Sequence, residues 1–409
     1  MYRYFYRSFL LISILMAAAM SSCHSDDDVS QPVVVPDEVS RLDTGLPVVC
    51  IVTPDSADIT SKTEWTDGAT ITIYRADGTI DYSDDNLSVR GRGNNTWGYP
   101  KKPYALKLSS KSELLGMPQH KRWVLLANWM DRTLLRNEFA FQIARNTGLA
   151  WTPRGCFVEV LLNGQHIGNY YLCEQIRVDK NRVNITDGYL MELDAYFDEA
   201  NKFKSAYRGL PYMFKEPDEH TLQPEQQQYM VNYINHMEQC LYADDWLVSR
   251  EYSQYLDLES FADWWFVHEL AQNAEPWWPK SSYMYKDGSG KLTAGPVWDF
   301  DYHTFVPDEL QFHSLDAIYY KRLFADPEFV ALVKDRWAML KPRFLAIPDK
   351  IRSDAEYIRR SEALNHQLWP IGSPHVNEDG LMTFDAAVSR MISAYEQKLS
   401  WLDKQIVGL

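Results

Sequence analysis

The apolar residues of this 409-residue chain change their spacing part of the way along, and few architectures accommodate such a change. From Leu46 to Leu108 they alternate in short runs, VVCIV, ATITIYRADGTI, LSVRGRGNNTW and KKPYALKL, with Asp77 and Gly78 marking a hairpin. MDRTLLRNEFAFQIARNTGLA then shows helical spacing through Leu135, Phe139 and Ile143. Asp131 is placed to cap its start and Gly148 to end it, leaving Arg132, Arg136 and Glu138 for an exposed or catalytic side. CFVEVLLNGQHIGNYYLCEQI predicts a hairpin turning at Asn163 and Gly164, and GYLMELD a further strand. The basic stretch Asn201 to Pro217 reads as a loop or a strand ending in FKEPD. After it the helical period dominates: EQQQYMVNYINHMEQCLYA, DLESFADWWFVHELAQ, PEFVALVKDRWAML, DKIRSDAEYIRRSEALN and FDAAVSRMISAYEQKLSWLDK. Strands first and helices second predict an α+β fold in two lobes, β-rich over about 46–200 and helical over about 201–409, with a cleft between them as the expected site.

The N-terminus reads as an export signal, Arg3 and Arg7 preceding the apolar run FLLISILMAAAM, which is too short to span a bilayer. Ser22 directly before Cys23 resembles a bacterial lipoprotein cleavage site, so residues 1–22 are expected to be removed and Cys23 lipidated. The next four residues but one, Ser25 to Asp28, resemble the acidic surface-export tag of lipoproteins of the Bacteroidetes group. A polar, proline-bearing tether over about 23–45 would follow, placing the protein at the outer membrane or cell surface with the lipid as its only membrane contact. That compartment permits disulfides, so Cys156 and Cys173 are either bridged or buried as small hydrophobes. A net charge of −15 argues against a nucleic-acid partner, though it leaves room for a local basic pocket.

GPVWDFD, Gly295 to Asp301, carries the candidate chemistry. In a strand, Asp299 and Asp301 would share a face, and two carboxylates so close are comfortable only around a cation. Oxygen donors without thiolate or imidazole suit Mg²⁺, Mn²⁺ or Ca²⁺; the alternative is a structural turn whose aspartates cap backbone amides. The loop RGRGNNTWGYPKK, Arg90 to Lys102, has glycines and cations able to approach an anion, or is simply a hairpin. Trp264 and Trp265 fit a buried helix face, His268 a core histidine, and Trp277 and Trp278, flanked by prolines near Glu275, are open to either environment.

Taken in order, RGRGNNTWGYPKKPYALKL, LLANWMDRTLLRNEFAFQIA, EVLLNGQHIGNYYLCEQIRVDKNRVNI, GYLMELD and PVWDFD resemble the CotH (spore coat protein H) kinase family, from about Val89 to Phe305. The resemblance implies an atypical protein-kinase-like fold that binds ATP with Mg²⁺ or Mn²⁺ between two lobes and phosphorylates a hydroxyl of an exported or surface protein. It makes Asp299 the metal-binding counterpart of the aspartate in the kinase DFG motif, with Asp301 and Asn273 beside it. Lys107 or Lys102, with Arg92, would contact the phosphates, and Glu174 or Glu138 would orient the lysine. The family's catalytic pattern, asparagine, any residue, aspartate, stands here as Asn273, Ala274 and Glu275, so the proton acceptor is one methylene longer. Ser282 falls where a second metal ligand, often asparagine, is expected. The same scaffold without catalysis would be a surface binding lipoprotein for a glycan or protein, with Trp277 and Trp278 as aromatic faces; a glycosidase pair of Glu275 and Asp299 has no accompanying sugar-hydrolase motif. If Cys23 is the anchor, Cys23→Ser should leave the membrane fraction; membrane association equal to wild type would rule the anchor out.

Overall fold

The computed structural model describes residues 36–370 and 377–409, so the signal peptide, Cys23, Ser25–Asp28 and most of the tether lie outside the described residues. Seven strands, β1 (Val48–Val52), β2 (Thr66–Tyr74), β3 (Ile80–Gly91), β4 (Tyr104–Leu114), β5 (Met117–Leu126), β6 (Gly155–Leu162) and β7 (Gln165–Glu174), close into a barrel in the order β1-β2-β3-β4-β5-β7-β6. Alternate residues fill it, among them Val49, Ile71, Val89, Leu106, Trp123, Leu125, Val160 and Leu172. β5, β6 and β7 also bury their outer face: Val124, Phe157, Tyr171 and Cys173 join the main core with the helix Arg136–Arg145. Burial on both faces explains their near-continuous apolar runs. Val39 packs on Val48, Tyr74 and Leu161, so the end of the expected tether belongs to the barrel.

The hairpin at Asn163 and Gly164 is present, both residues taking the left-handed backbone a tight I′ turn requires. Its register decides the cysteine question. Gly155 lies opposite Cys173 and Cys156 opposite Leu172, so the two sulfurs point to opposite faces of the ladder; both are free thiols.

A second sheet, with order β12-β11-β8-β10-β9, combines β8 (Tyr189–Leu193), β9 (Lys202–Lys204), β10 (Pro211–Glu216), β11 (Ser282–Lys286) and β12 (Leu292–Ala294). Strands therefore continue past residue 200, and β11 and β12 interrupt the helical half. The expected helices form as Pro224–Tyr242, Leu258–Leu270, Pro327–Tyr357, Arg359–Leu368 and Phe384–Gly408. Pro327–Tyr357 joins two stretches that read as separate, running through Pro342 and Pro348. Leu258–Leu270 is buried on all sides, with Trp264, Trp265 and His268 in the core. No helix among the described residues is long and apolar enough to cross a membrane.

GPVWDFD is not a strand. Residues 295–301 belong to no ladder, and Asp299 adopts a left-handed backbone, φ 69°, so alternation does not place its carboxylates. Side chains hold the segment instead. Asn137 Oδ1 accepts from the Phe300 amide at 2.8 Å, and Asn377 Nδ2 donates to the carbonyls of Asp301 and Met130 at 2.7 and 2.9 Å. Arg136 donates to the Thr304 carbonyl while paired with Asp131 at 3.2 Å and Asp379 at 2.6 Å. Asp131 does serve the helix start, accepting from the Arg136 amide at 2.8 Å. Arg136 and Glu138 are thus buried rather than facing solvent or a cleft, and Glu138 pairs with Arg145 at 2.6 Å. Removing Arg136 would leave two buried carboxylates uncompensated, so Arg136→Ala should lose about 3–5 kcal/mol in urea unfolding; a loss below 1 kcal/mol would mean the triad is not structural.

Candidate active site

Asp299, Asp301, Glu275 and Asp194 gather around this held segment. Asp194, just past β8, accepts from the amides of Tyr196 at 2.8 Å and Ser281 at 3.1 Å, and the Ser281 hydroxyl donates to Asp299 at 3.4 Å. Asn273 Oδ1 accepts from the Glu275 amide at 2.9 Å, fixing the turn that presents Glu275. All four carboxyls bind protons more tightly than usual. Burial is the first cause for each, and mutual repulsion adds to it: Glu275 is pushed up to about 8 by burial and by Asp299. Asp301 rises well above its ordinary value, from burial and from the charges of Asp299, Asp131 and Glu275. Arg92 opposes this at Asp299, lying with its guanidinium over the Trp298 ring at 5.3 Å, and Lys280 opposes it at Glu275.

Arg92 ends a run of cations on the outer face of the barrel. Register pairs Ser88 with Lys107 and Lys107 with Arg122, so Arg90, two residues beyond Ser88, shares their face. Arg90 and Arg122 flank the Trp65 ring at 4.6 and 4.8 Å. Arg177 crowds both, and Arg90 also feels Arg92. Burial, then this repulsion, lowers Arg90 and brings Arg122 down to about 10. The Nε atoms of Arg90 and Arg177 are buried without a hydrogen-bond partner, whereas Arg177 Nη1 reaches Glu216 at 2.8 Å. Half-buried guanidiniums that repel one another form a surface complementary to an anion.

The expected residues are distributed unevenly over this geometry. Asp299, Asp301, Glu275 and Arg92 meet, and Asn273 supports Glu275. Lys107 is exposed on the cationic face. Lys102 is occupied within its own loop, donating to the Trp97 carbonyl at 2.7 Å. That loop is set by Gly91, where a Cβ would fall 2.2 Å from the Trp97 ring. Among the described residues neither Glu174 nor Glu138 pairs with a lysine: Glu174 holds Arg154 through two hydrogen bonds of 2.9 and 2.8 Å, and Glu138 holds Arg145. Ser282 is buried and donates to the Lys280 carbonyl, so it is Ser281, turned by φ 45°, that faces Asp299. Asp194, Ser281, Arg90, Arg122 and Arg177 were not singled out from the sequence. Asp194 closes the motif GYLMELD, and the spacing of Arg90 to Arg92 held a signal, but only strand register reveals Arg122.

The donor set fits a hard divalent ion. Among the described residues neither Asp299 nor Asp301 caps a backbone amide in the way the structural-turn alternative expects. Their oxygens are spaced more widely than a complete protein cage: among the described residues, three such ligand atoms lie within 4.8 Å of one another only at His236, Cys240 and Glu251. Mg²⁺ suits this arrangement, because it is held by one or two carboxylates and completes its shell with water and phosphate oxygens.

A family model described as CotH kinase protein matches residues 89–402. No curated protein matches the chain.

The carboxyl cluster has a pH signature. Between about 4.5 and 8 the folded protein keeps a proton on Glu275 that the unfolded chain has released, so its contribution to stability is full at low pH and is lost as pH rises. The metal-free protein should therefore lose thermal stability from pH 5 to 8, and Glu275→Gln should flatten that slope. Mg²⁺ displaces the same protons and should bind more tightly at pH 8 than at pH 6 in calorimetric titration; a pH-independent affinity would mean the carboxyls are not its ligands.

Proposed function

The chain belongs to the CotH kinase protein family, and from that premise we propose that it is an atypical protein kinase that transfers the γ-phosphoryl group of ATP to a hydroxyl of an exported or cell-surface protein. The observation that carries the reading is the continuity of charge: the outward cations Arg90, Lys107 and Arg122, with Arg177, lead to Arg92, which sits beside the carboxylates. In this reading the barrel acts as the small lobe and the second sheet with the helices as the large one, with nucleotide between them. The arginines and Lys107 hold the phosphate oxygens, Arg by paired donors and Lys107 as a point charge. Asp299 and Asp301 would hold Mg²⁺ or Mn²⁺, which neutralises charge on the transferring group. Glu275 receives the proton of the acceptor hydroxyl; its carboxyl, pushed up to about 8, is a stronger base than an ordinary glutamate once ionised. The chain would work at the outer membrane or cell surface, anchored through Cys23.

A second reading keeps the scaffold and drops the catalysis. Trp277 and Trp278 are each 66% exposed and adjoin Glu275, a placement suited to docking a glycan or a protein. Trp264 and Trp265 contribute nothing to it, being buried.

Binding and turnover separate the two readings. Mg-ATP should stabilise wild type in a thermal-shift assay and fail to stabilise Asp299→Asn. Glu275→Gln should keep the shift but lose about 10²- to 10⁴-fold in radiolabel transfer, the usual contribution of a general base. Glu275→Asp tests whether the extra methylene displaces the carboxylate, in which case transfer rises above wild type. An Asp299→Asn shift equal to wild type would remove the metal role. Absence of transfer to itself or to surface-protein extracts, from both wild type and Glu275→Asp, would leave the binding scaffold.

A further inference from the structure

Outside this site, on the far part of the helix Pro224–Tyr242, one histidine and one cysteine stand one turn apart. His236 and Cys240 are an i, i+4 pair, with Nε2 and Sγ 3.8 Å apart. Glu251, in the 3₁₀ turn Glu251–Gln254, brings Oε1 to 3.9 Å from the same Nε2, and the three ligand atoms all lie within 4.8 Å of one another. We propose that His236, Cys240 and Glu251 form a zinc site.

The distances are close to those coordination demands. Tetrahedral bonds of roughly 2.3 Å to sulfur and 2.0 Å to nitrogen or oxygen set neighbouring ligand atoms about 3.3–3.6 Å apart; Nε2 and Sγ, at 3.8 Å, stand near that spacing, and rotation of the half-exposed Glu251 side chain closes the rest. Thiolate, imidazole and carboxylate together select Zn²⁺ over Mg²⁺ or Ca²⁺. This distinguishes the site from the all-oxygen cluster at Asp299.

The supports are built in. The His236 ring meets the edge of Tyr255 at 5.1 Å and 85°, which limits its rotation. Glu251 follows Arg250, whose left-handed backbone is pinned by an ion pair to the buried Asp326 at 2.9 Å. Cys240 is buried while the His236 and Glu251 side chains are each 49% exposed, so the sulfur is shielded and the fourth position opens to water or to a donor from another molecule. A bound ion would clamp the helix to the turn that follows it.

The test uses the full chain, reduced and stripped with chelator, and the metals alone. Zn²⁺ titrated against a chromophoric chelator should occupy one tight site, and Co²⁺ should give a thiolate-to-cobalt charge-transfer band. Cys240→Ser should abolish the band, and His236→Ala, which alters a half-exposed side chain and so keeps the fold if Cys240→Ser does not, should weaken Zn²⁺ binding at least tenfold. Asp299→Asn should leave both readouts unchanged, keeping this result independent of the kinase reading. A band that survives Cys240→Ser, or equal Zn²⁺ affinity in wild type and His236→Ala, would overturn the proposal.

Discussion

One buried guanidinium carries the geometry of the candidate site. Segment 299–304 belongs to no sheet or helix, so its backbone groups need partners from elsewhere. Arg136 supplies one at the Thr304 carbonyl while it neutralises Asp131 and Asp379, all three side chains being at most 3% exposed. Burying three charges is costly, and the cost is offset by the guanidinium that the two carboxylates share and by the amide and hydroxyl donors on Asp131. Asn137, the next residue, fixes Phe300. The left-handed Asp299 is therefore imposed by the sequence DRTLLRN, distant along the chain.

That rigidity has an electrostatic consequence. Four carboxyls are held near one another with, among the described residues, Arg92 and Lys280 against them, and in the absence of an ion the protein relieves the repulsion by keeping protons. A divalent cation does the same work without protons, which is why the donors read as a metal site although no single residue in them is diagnostic. The net charge of −15 does not oppose phosphate binding here, because the cations collect on one barrel face.

Local signals were legible where a turn or a helical period determines the outcome. Asn163 and Gly164 marked their hairpin, and the five long helices of the second half follow their apolar spacing. What escaped depends on contacts between distant residues. Barrel closure rests on parallel pairing of β1 with β6, Val48 opposite Glu159, and no local pattern encodes it. β11 and β12 are too short for periodicity to distinguish them from loop. The alternation expected of GPVWDFD failed because tertiary hydrogen bonds, not a ladder, shape it, and the left-handed turn at Ser281 exchanged the roles of two adjacent serines. Family resemblance drew attention to Asp299 and Glu275; the arginine face became visible only through register.

The fate of the lysines explains why that face is built mainly of arginine. Lys101 is fully buried, donates to the carbonyls of Ala127 and Asn169, and is lowered to about 7 by desolvation, so it is largely neutral above that pH. Arg122 suffers burial and the repulsion of Arg177 and Arg90, yet at about 10 it remains charged at neutral pH. A lysine starts from a lower ordinary value than an arginine, so the same burial and repulsion would bring it closer to neutral pH. Arginine thus occupies the half-buried positions 90, 122 and 177, and lysine stands at 107, where solvent reaches it. The adjacent Lys101 and Lys102, the most conspicuous basic pair in the loop, are spent on carbonyl oxygens.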